Sequence, residues 1–421
     1  MPANFRPAVA SDVPAIVDIE CRAFGRDTAE SRDYKRRELD HELADYVVLE
    51  DPGGVVAAAR VLRHWLQVGH CAVLKGDVGH VAVLPELHGK GYGTTLMQRI
   101  VPYLRDKGFH LSRLGGLMKF YSRFGYEPFL RRYVHLPVHP LDDDIKGTPW
   151  REIYGLTPQE QACVRRYDPS RDGRAVHELR LRFNRGRCGH LLLSETPPPP
   201  TTAGPNPDAY DFVYEENGEV RAFLRGALGL VNAGDPAPSY RIDELVADYN
   251  HPQAVAPLLK HFIQQAAQIA PTTISCRLPY DEWLFGLERQ AQLYLEVSEW
   301  RQSVDGNMMQ VVDLPATLRA VAPEWRARLH EAGVIPWMGR VHFRLPNDEA
   351  VLEITPDSVE VEEGSQGDVT VTASQADFIM WLLGIAGFGE FPHLSAHLTG
   401  PQRLTLSIIF PRLPCASGVW G

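Results

Sequence analysis

Apolar positions along the chain switch between a period of two and a period near 3.6, and the switching predicts strands and helices in turn. Phe5 to Ala8 reads as a strand. Ser11 and Asp12 open a helix that continues through Val13, Ile16 and Ile19. Tyr46 to Leu49 and Val55 to Leu62 are strands on either side of the turn Asp51-Pro52-Gly53-Gly54. Val78 to Val83 is a further strand, closed by Leu84-Pro85. After Glu86-Leu87-His88-Gly89-Lys90-Gly91-Tyr92-Gly93, the residues Leu96, Met97, Ile100, Val101 and Leu104 lie on one helical face, and Gly108 ends that helix. The local order is strand, glycine-rich turn, helix.

A turn of this kind suits phosphate. Glycine lets the backbone approach an anion closely, and the unpaired N–H groups of the first helical turn point at it. Spacing excludes two familiar cradles. A dinucleotide fingerprint needs glycine at 89, 91 and 94, but position 94 is Thr94. A Walker A loop needs a glycine five residues before Gly89, where Leu84 stands, and a Ser or Thr after Lys90, where Gly91 stands.

The order repeats farther along. Cys163 to Arg166 is a strand, followed by a helix through Val176, Leu179 and Leu181. Phe212 to Tyr214 and Val220 to Leu224 form a hairpin pair, and Arg241 to Ala247 is the next strand. Asn250-His251-Pro252 opens a helix through Val255, Leu258, Leu259 and Phe262, and Thr272 to Leu278 is one more strand. This suggests an internal duplication. The second copy has Asp248-Tyr249-Asn250-His251-Pro252 in place of the glycine turn, so we expect it not to bind a phosphate. Thr196 to Pro207 reads as a polyproline II loop within it. From Asn307 the pattern changes to a strand from Met308, a helix through Leu318 and Trp325, four short strands between Gly339 and Thr372, and a helix from Ser374, an α+β arrangement.

Composition narrows the function. The 421 residues suggest two or three domains, and 44% apolar with 23% charged residues is ordinary for a soluble globular protein. A net charge of −10 disfavours a nucleic-acid binder. Six scattered cysteines without a CxxC fit a reducing compartment, and Cys71, the nearest to the glycine turn in sequence, has no pattern marking it as a nucleophile. The sixteen histidines contain no HExxH, so no metal is expected. No signal peptide and no transmembrane run is seen, which predicts a cytoplasmic protein without membrane contact.

Val81-Ala82-Val83-Leu84-Pro85 followed by His88-Gly89-Lys90-Gly91-Tyr92-Gly93 resembles the acetyl-coenzyme A signature of the GNAT superfamily: strand, proline, then Arg/Gln-x-x-Gly-x-Gly/Ala. His88 replaces the usual Arg or Gln. Twenty-seven residues past Gly93, Phe120-Tyr121-Ser122-Arg123-Phe124-Gly125-Tyr126 resembles the aromatic segment that closes GNAT domains. The end of the chain resembles a sterol carrier protein-like domain. The whole resembles the Eis family of acetyltransferases: a catalytic GNAT domain at 1–140, a degenerate second GNAT domain at 141–303, and a sterol carrier protein-like α+β domain at 304–421.

That resemblance implies an acetyl-CoA-dependent transferase acting on a primary amine of a polycationic, aminoglycoside-like small molecule or of a lysine-type acceptor, assembled as a homo-hexamer. Rival readings are a lysine acetyltransferase acting on peptides or proteins and a non-catalytic ligand-binding scaffold. It also implies roles. Val81, Ala82, Val83, His88, Gly89, Lys90, Gly91, Tyr92, Gly93, Thr94, Gly116 and Leu117 would hold acetyl-CoA. Tyr121 would be the general acid, with Tyr126 the alternative, and the C-terminal carboxylate of Gly421 the general base. In that family the terminal residue is often aromatic, whereas here the aromatic is Trp420. Phe24, after the first helix, is read from its position either as lining the acceptor pocket or as a core residue. His80 and His88 flank the signature and are read first as hydrogen bonders at a strand end and a helix start, second as bases. Lys35-Arg36-Arg37 is expected to be a solvated helix face.

Overall fold

The computed structural model describes residues 3–128, 131–199, 201, 204–206, 209–229, 239–267, 272–276, 293, 296–300, 307–362, 364 and 366–415. Its contacts gather into two units. One holds the described residues up to 128 together with 307–412, and the other holds those of 131–300 together with 413–415.

In the first unit β1 (Asn4–Pro7), β2 (Tyr46–Asp51), β3 (Gly54–Val68) and β4 (Cys71–Val83) run antiparallel in that order. β5 (Leu111–Leu114) joins β4 in parallel after the crossover helix α3 (Tyr92–Asp106). Helices α1 (Val13–Ala23) and α2 (Ala29–Glu42) precede β2. The core on one side is built from Leu96, Met97, Ile100 and Leu104 of α3 against Val47, Leu49, Ala57, Leu74 and Val78, all buried. On the other, Ile16, Val17 and Cys21 of α1 pack with Leu39 of α2 and with Tyr46, Val48 and Ala58. Alternate residues of β2 thus face opposite layers, as the strand period requires. The strands are longer than their apolar runs predict, because the outer part of the β3–β4 hairpin mixes polar with apolar residues.

The strand read from Met308 does not stand with the C-terminal strands. Met308–Val311 lies antiparallel between β5 and Glu127–Pro128 in the first sheet, with Met308 opposite Leu114. Both Met308 and Met309 are fully buried there. The helix Leu314–Glu331 that follows packs on the first sheet as well. Its Glu324 carboxylate accepts the backbone N–H of His70 at 2.7 Å, and a Cβ at Gly69 would collide with it, so both the φ of +60° and the space favour glycine at 69.

The four strands Gly339–Leu345, Asp348–Ile354, Val359–Glu362 and Val369–Thr372 form a separate small sheet, the last parallel to the first. Phe343, Phe378, Trp325, Trp381 and Phe410 fill the space beneath it, with Trp325 and Phe410 ring centres 5.1 Å apart. Each such aromatic buries roughly 150–250 Å².

The second unit repeats the sequence of elements. Val164–Arg166, Tyr210–Glu216, Glu219–Gly229, Ser239–Ala247, Thr272–Cys276, Arg131–Val138 and Glu296–Trp300 make one sheet in that order. Helices Pro169–Asn184 and Val255–Ala267 cover it, with Val176 and Leu179 on Phe223, and Leu258 and Phe262 in the larger core cluster. Ahead of the second helix, the Asp248 carboxylate accepts the N–H of Asn250 at 3.0 Å and pairs with His251 at 3.1 Å, so a side-chain anion already occupies that turn.

Candidate active site

Two irregularities of β4 create the site. The first is a bulge. Ala58 pairs with Ala82 and Arg60 with Gly79, so His80 and Val81 together oppose Ala59. The extra residue, His80, takes a φ of +52°, a conformation that glycine accepts readily and histidine rarely. The second is a splay. β5 pairs with Lys75–Val78 and then stops at Leu114, so that among the described residues Gly79–Val83 have no partner strand on that edge. Leu84 donates its N–H to Val56. By alternation Ala82 also faces β3, while the backbone groups of Val81 and Val83 face the open edge.

The cradle lies at the end of that edge. Gly89 and Gly91 have φ of +77° and +89°, and Gly91 caps α3 from the left-handed region. The first N–H of the helix to be satisfied is that of Thr95, by Gly91. Among the described residues nothing accepts from the N–H groups of Gly89, Gly91, Tyr92, Gly93 or Thr94. The side chains beside them are otherwise engaged or open. Tyr92 donates its hydroxyl to Asp51 at 2.7 Å, which ties the start of α3 to the β2–β3 turn. His88 bonds the Val83 carbonyl through Nε2 at 3.0 Å, acting as the hydrogen bonder of the first reading. Lys90 is exposed. A row of free amides at a helix start has the geometry that suits an anion.

Across the splay, the short helix Met118–Tyr121 brings in Tyr121. Gly116, with φ of +134°, leaves room for its ring, since a Cβ there would sit 3.1 Å from Tyr121 Cε2. Leu117 is 75% exposed beside it. Burial pushes the Tyr121 phenol above its ordinary value, so it holds its proton at neutral pH. Its hydroxyl has no hydrogen-bond partner among the described residues. Tyr126 is different. It is fully buried, its hydroxyl bonds the Ser112 hydroxyl at 2.7 Å, and burial pushes it up to about 12. Of the two tyrosines, Tyr121 has the hydroxyl open to a reaction.

A pocket of about 420 Å³ opens beside the bulge between α1 and α2, lined by Phe24, Tyr34, Glu30, Glu38, Lys35 and His80 among others. Phe24 is half exposed, with its ring edge-on to His80 at 6.3 Å. The run at 35–37 is not uniformly solvated. Arg36 and Arg37 are exposed, but Lys35 is buried, with Glu20 at 2.7 Å, a short ion pair to Glu38, and the Tyr46 hydroxyl at 3.2 Å. Burial opposes its charge, yet Glu20 and Glu38 outweigh that and hold Lys35 above its usual value. The signal was present in the sequence. Lys35 is four residues before the buried Leu39, and Glu20 is four after the buried Ile16, so each shares its helix's apolar face.

The remaining side chains and expectations are placed as follows. Glu86 is exposed and pairs with Arg22 at 2.7 Å. Burial pushes the Cys71 thiol up, away from an activated thiolate. Among the described residues no three His, Cys, Asp or Glu gather as a metal site, and no helix is long and apolar enough to cross a membrane. Trp420 and Gly421 lie outside the described residues.

Residues 4–129 match the family described as an acetyltransferase (GNAT) domain. Similar solved structures span nearly the whole chain. A GCN5-related N-acetyltransferase from Kribbella flavida is 18% identical, with 98% of this chain and 97% of that one covered, at a TM-score of 0.65. One from Anabaena variabilis is 14% identical over 98% of both chains, at 0.63. Eis1 from Mycobacterium abscessus is 16% identical over 98% of this chain and 99% of its own, at 0.59. No curated protein matches the sequence. The fold is that of the GNAT acyltransferases over a mixed α/β chain with further domains, and the enzyme class is acetyltransferase by virtue of residues 4–129.

Proposed function

We propose that the protein transfers acetyl from acetyl-CoA directly to a primary amine, in the manner of Eis-type acetyltransferases. The observation that carries this reading is the splay between β4 and β5. It is edged by Gly79–Val83, which has no partner strand on that side among the described residues, ends in five amides at Gly89–Thr94 that no described residue accepts from, and faces a Tyr121 hydroxyl without a described partner. A pantetheine arm would complete the β4 edge, and the pyrophosphate would lie on the amides with Lys90 and the helix dipole beside it. The amine attacks the thioester carbonyl, and the departing thiolate takes the Tyr121 proton.

The acceptor pocket favours a cation. Three carboxylates, Glu20, Glu30 and Glu38, stand against Lys35 and Arg26. Lys35 is consumed by two of them. Phe24 and Tyr34 add aromatic faces that attract ammonium groups. A multiply charged, aminoglycoside-like amine fits this lining. The sterol carrier protein-like end, a homo-hexamer and a cytoplasmic setting belong to the same proposal and are carried by the family resemblance.

Thiol release from acetyl-CoA, measured across aminoglycosides, polyamines and lysine peptides, tests the reading, with calorimetry of acetyl-CoA alongside. We expect binding and turnover with polycationic small amines. Turnover confined to lysine peptides would move the acceptor to proteins. A protein that binds no acetyl-CoA would be a scaffold.

A further inference from the structure

We infer that His80 is the general base of the acetyl transfer, oriented by the buried carboxylate of Glu20. The inference rests on the amine-acetylation reading above and assigns it a proton acceptor from the described residues.

The geometry is specific. His80 is the extra residue of the β4 bulge, adjacent to Val81, whose backbone opens on the donor edge. Its strained backbone, at φ of +52°, swings the side chain toward the pocket between α1 and α2. A non-glycine residue in this region persists where the surroundings over-determine it, and such positions gather at active sites. Nδ1 lies 2.8 Å from Oε2 of Glu20, on α1. Two acceptors would repel at that distance, so Nδ1 carries the proton and donates it to the carboxylate. Lys35 Nζ is 3.2 Å from the same nitrogen, but its protons are directed to Glu20, Glu38 and the Tyr46 hydroxyl. The tautomer leaves Nε2 with a lone pair. No described residue partners Nε2, and the side chain is 37% exposed to the pocket. Glu20, by contrast, is 2% exposed and held by Lys35, so it orients the ring and stabilises the imidazolium that forms. Among the described residues no other imidazole lining that pocket shares this arrangement, and His88 is spent on the Val83 carbonyl.

The step balances. The neutral amine nitrogen bonds the thioester carbon as its N–H proton passes to His80 Nε2. The C–S bond breaks, and the sulfur takes the Tyr121 proton. Amide and coenzyme A leave, and solvent returns the His80 proton to Tyr121. His80 touches the reacting amine and is catalytic, whereas Glu20 and Lys35 are positioning residues.

The test uses the full chain with acetyl-CoA and the best amine of the panel. His80→Asn keeps a side chain that tolerates the left-handed conformation, and His80→Gly suits it outright. We expect His80→Asn to lower kcat by about 10²–10⁴-fold while calorimetric affinity for acetyl-CoA stays within about threefold. We expect free imidazole to restore saturable turnover to His80→Gly but not to the wild type. Glu20→Gln should lower kcat less than His80→Asn and leave the imidazole rescue of the Glu20→Gln/His80→Gly double variant weaker. Near-normal kcat in His80→Asn, or no rescue of a folded His80→Gly that binds acetyl-CoA, overturns the assignment and returns the base to the Gly421 carboxylate. Failure of the wild type to bind acetyl-CoA overturns the functional reading as well.

Discussion

Replacing Gly91 by alanine, with Gly93→Ala as its partner, separates what the two glycines of the cradle do. Gly91 has φ of +89° and ψ of −3°, and nothing lies within 4 Å of a Cβ placed there. The penalty for alanine is therefore conformational and not steric, about 1–2 kcal/mol. Gly91 is exposed in a turn, so the free loop can relax and escape the strain. The cost then falls on ligand binding, where the loop must return. At 1.4 kcal/mol per factor of ten, that is about a 5- to 30-fold loss of acetyl-CoA affinity. Gly93 has no positive φ, and its Cβ would meet Phe120 Cζ at 3.6 Å and Val83 Cγ2 at 3.7 Å, ordinary contacts. Alanine there favours the helix by up to about 1 kcal/mol and should change affinity by less than about twofold. Calorimetry with acetyl-CoA and thermal melts of both variants give the two quantities. Equal affinities of Gly91→Ala and wild type, with equal melting temperatures, would refute the reasoning. So would a greater loss in Gly93→Ala than in Gly91→Ala.

Tyr121→Phe should cut kcat by about 10²–10⁴-fold with acetyl-CoA affinity retained, whereas Tyr126→Phe should act on stability, by about 1 kcal/mol from the lost Ser112 bond, and little on kcat. The reverse pattern in steady-state kinetics would exchange their roles. Lys35→Met strands the carboxylates of Glu20 and Glu38 and should destabilise the fold by about 3–5 kcal/mol in denaturant unfolding, and a cost below about 1 kcal/mol would mean the cluster is hydrated. Acid should unfold the first unit through Asp12 and Glu38. The bidentate hydrogen bonds from Arg6 hold the Asp12 carboxyl below 3.8, and Lys35 holds Glu38 below 4.5 against its burial. Both carboxyls are depressed in the fold. Their stabilisation is complete above those values and disappears as the pH falls through the lower, folded ones, so the melting temperature should be level above about pH 5 and drop below about pH 4. Asp12→Asn should flatten part of that drop, and an unchanged acid limb in the variant would count against the pairing.

The glycine turn and the helix behind it were legible residue by residue. Their chemistry depends on contiguous features: a β-branched strand, glycines where φ turns positive, and an amphipathic helix behind them. These are properties of ten or so neighbouring residues, and short-range sterics enforce them. The family motif ranked Tyr121 ahead of Tyr126, but the difference in their surroundings was not legible. Both sit in the same aromatic run, and Ser112, on a strand that precedes them, bonds one hydroxyl and not the other. Periodicity likewise found the strand at Met308, but not its place.

Local order along this chain thus decided which segments are strands and helices and where an anion can meet bare amides. Tertiary pairing decided the rest. It set Met308–Val311 beside Leu111–Leu114, nearly two hundred residues earlier, because that edge offered a dry place for two methionines. It brought Glu20 of α1 to the ammonium of Lys35, which Glu38 on the same helix already meets, because that second carboxylate arrives only when α1 and α2 pack together. It gave His80 its carboxylate by inserting one extra residue into β4, a shift of register that depends on the facing strand and that no window of sequence contains.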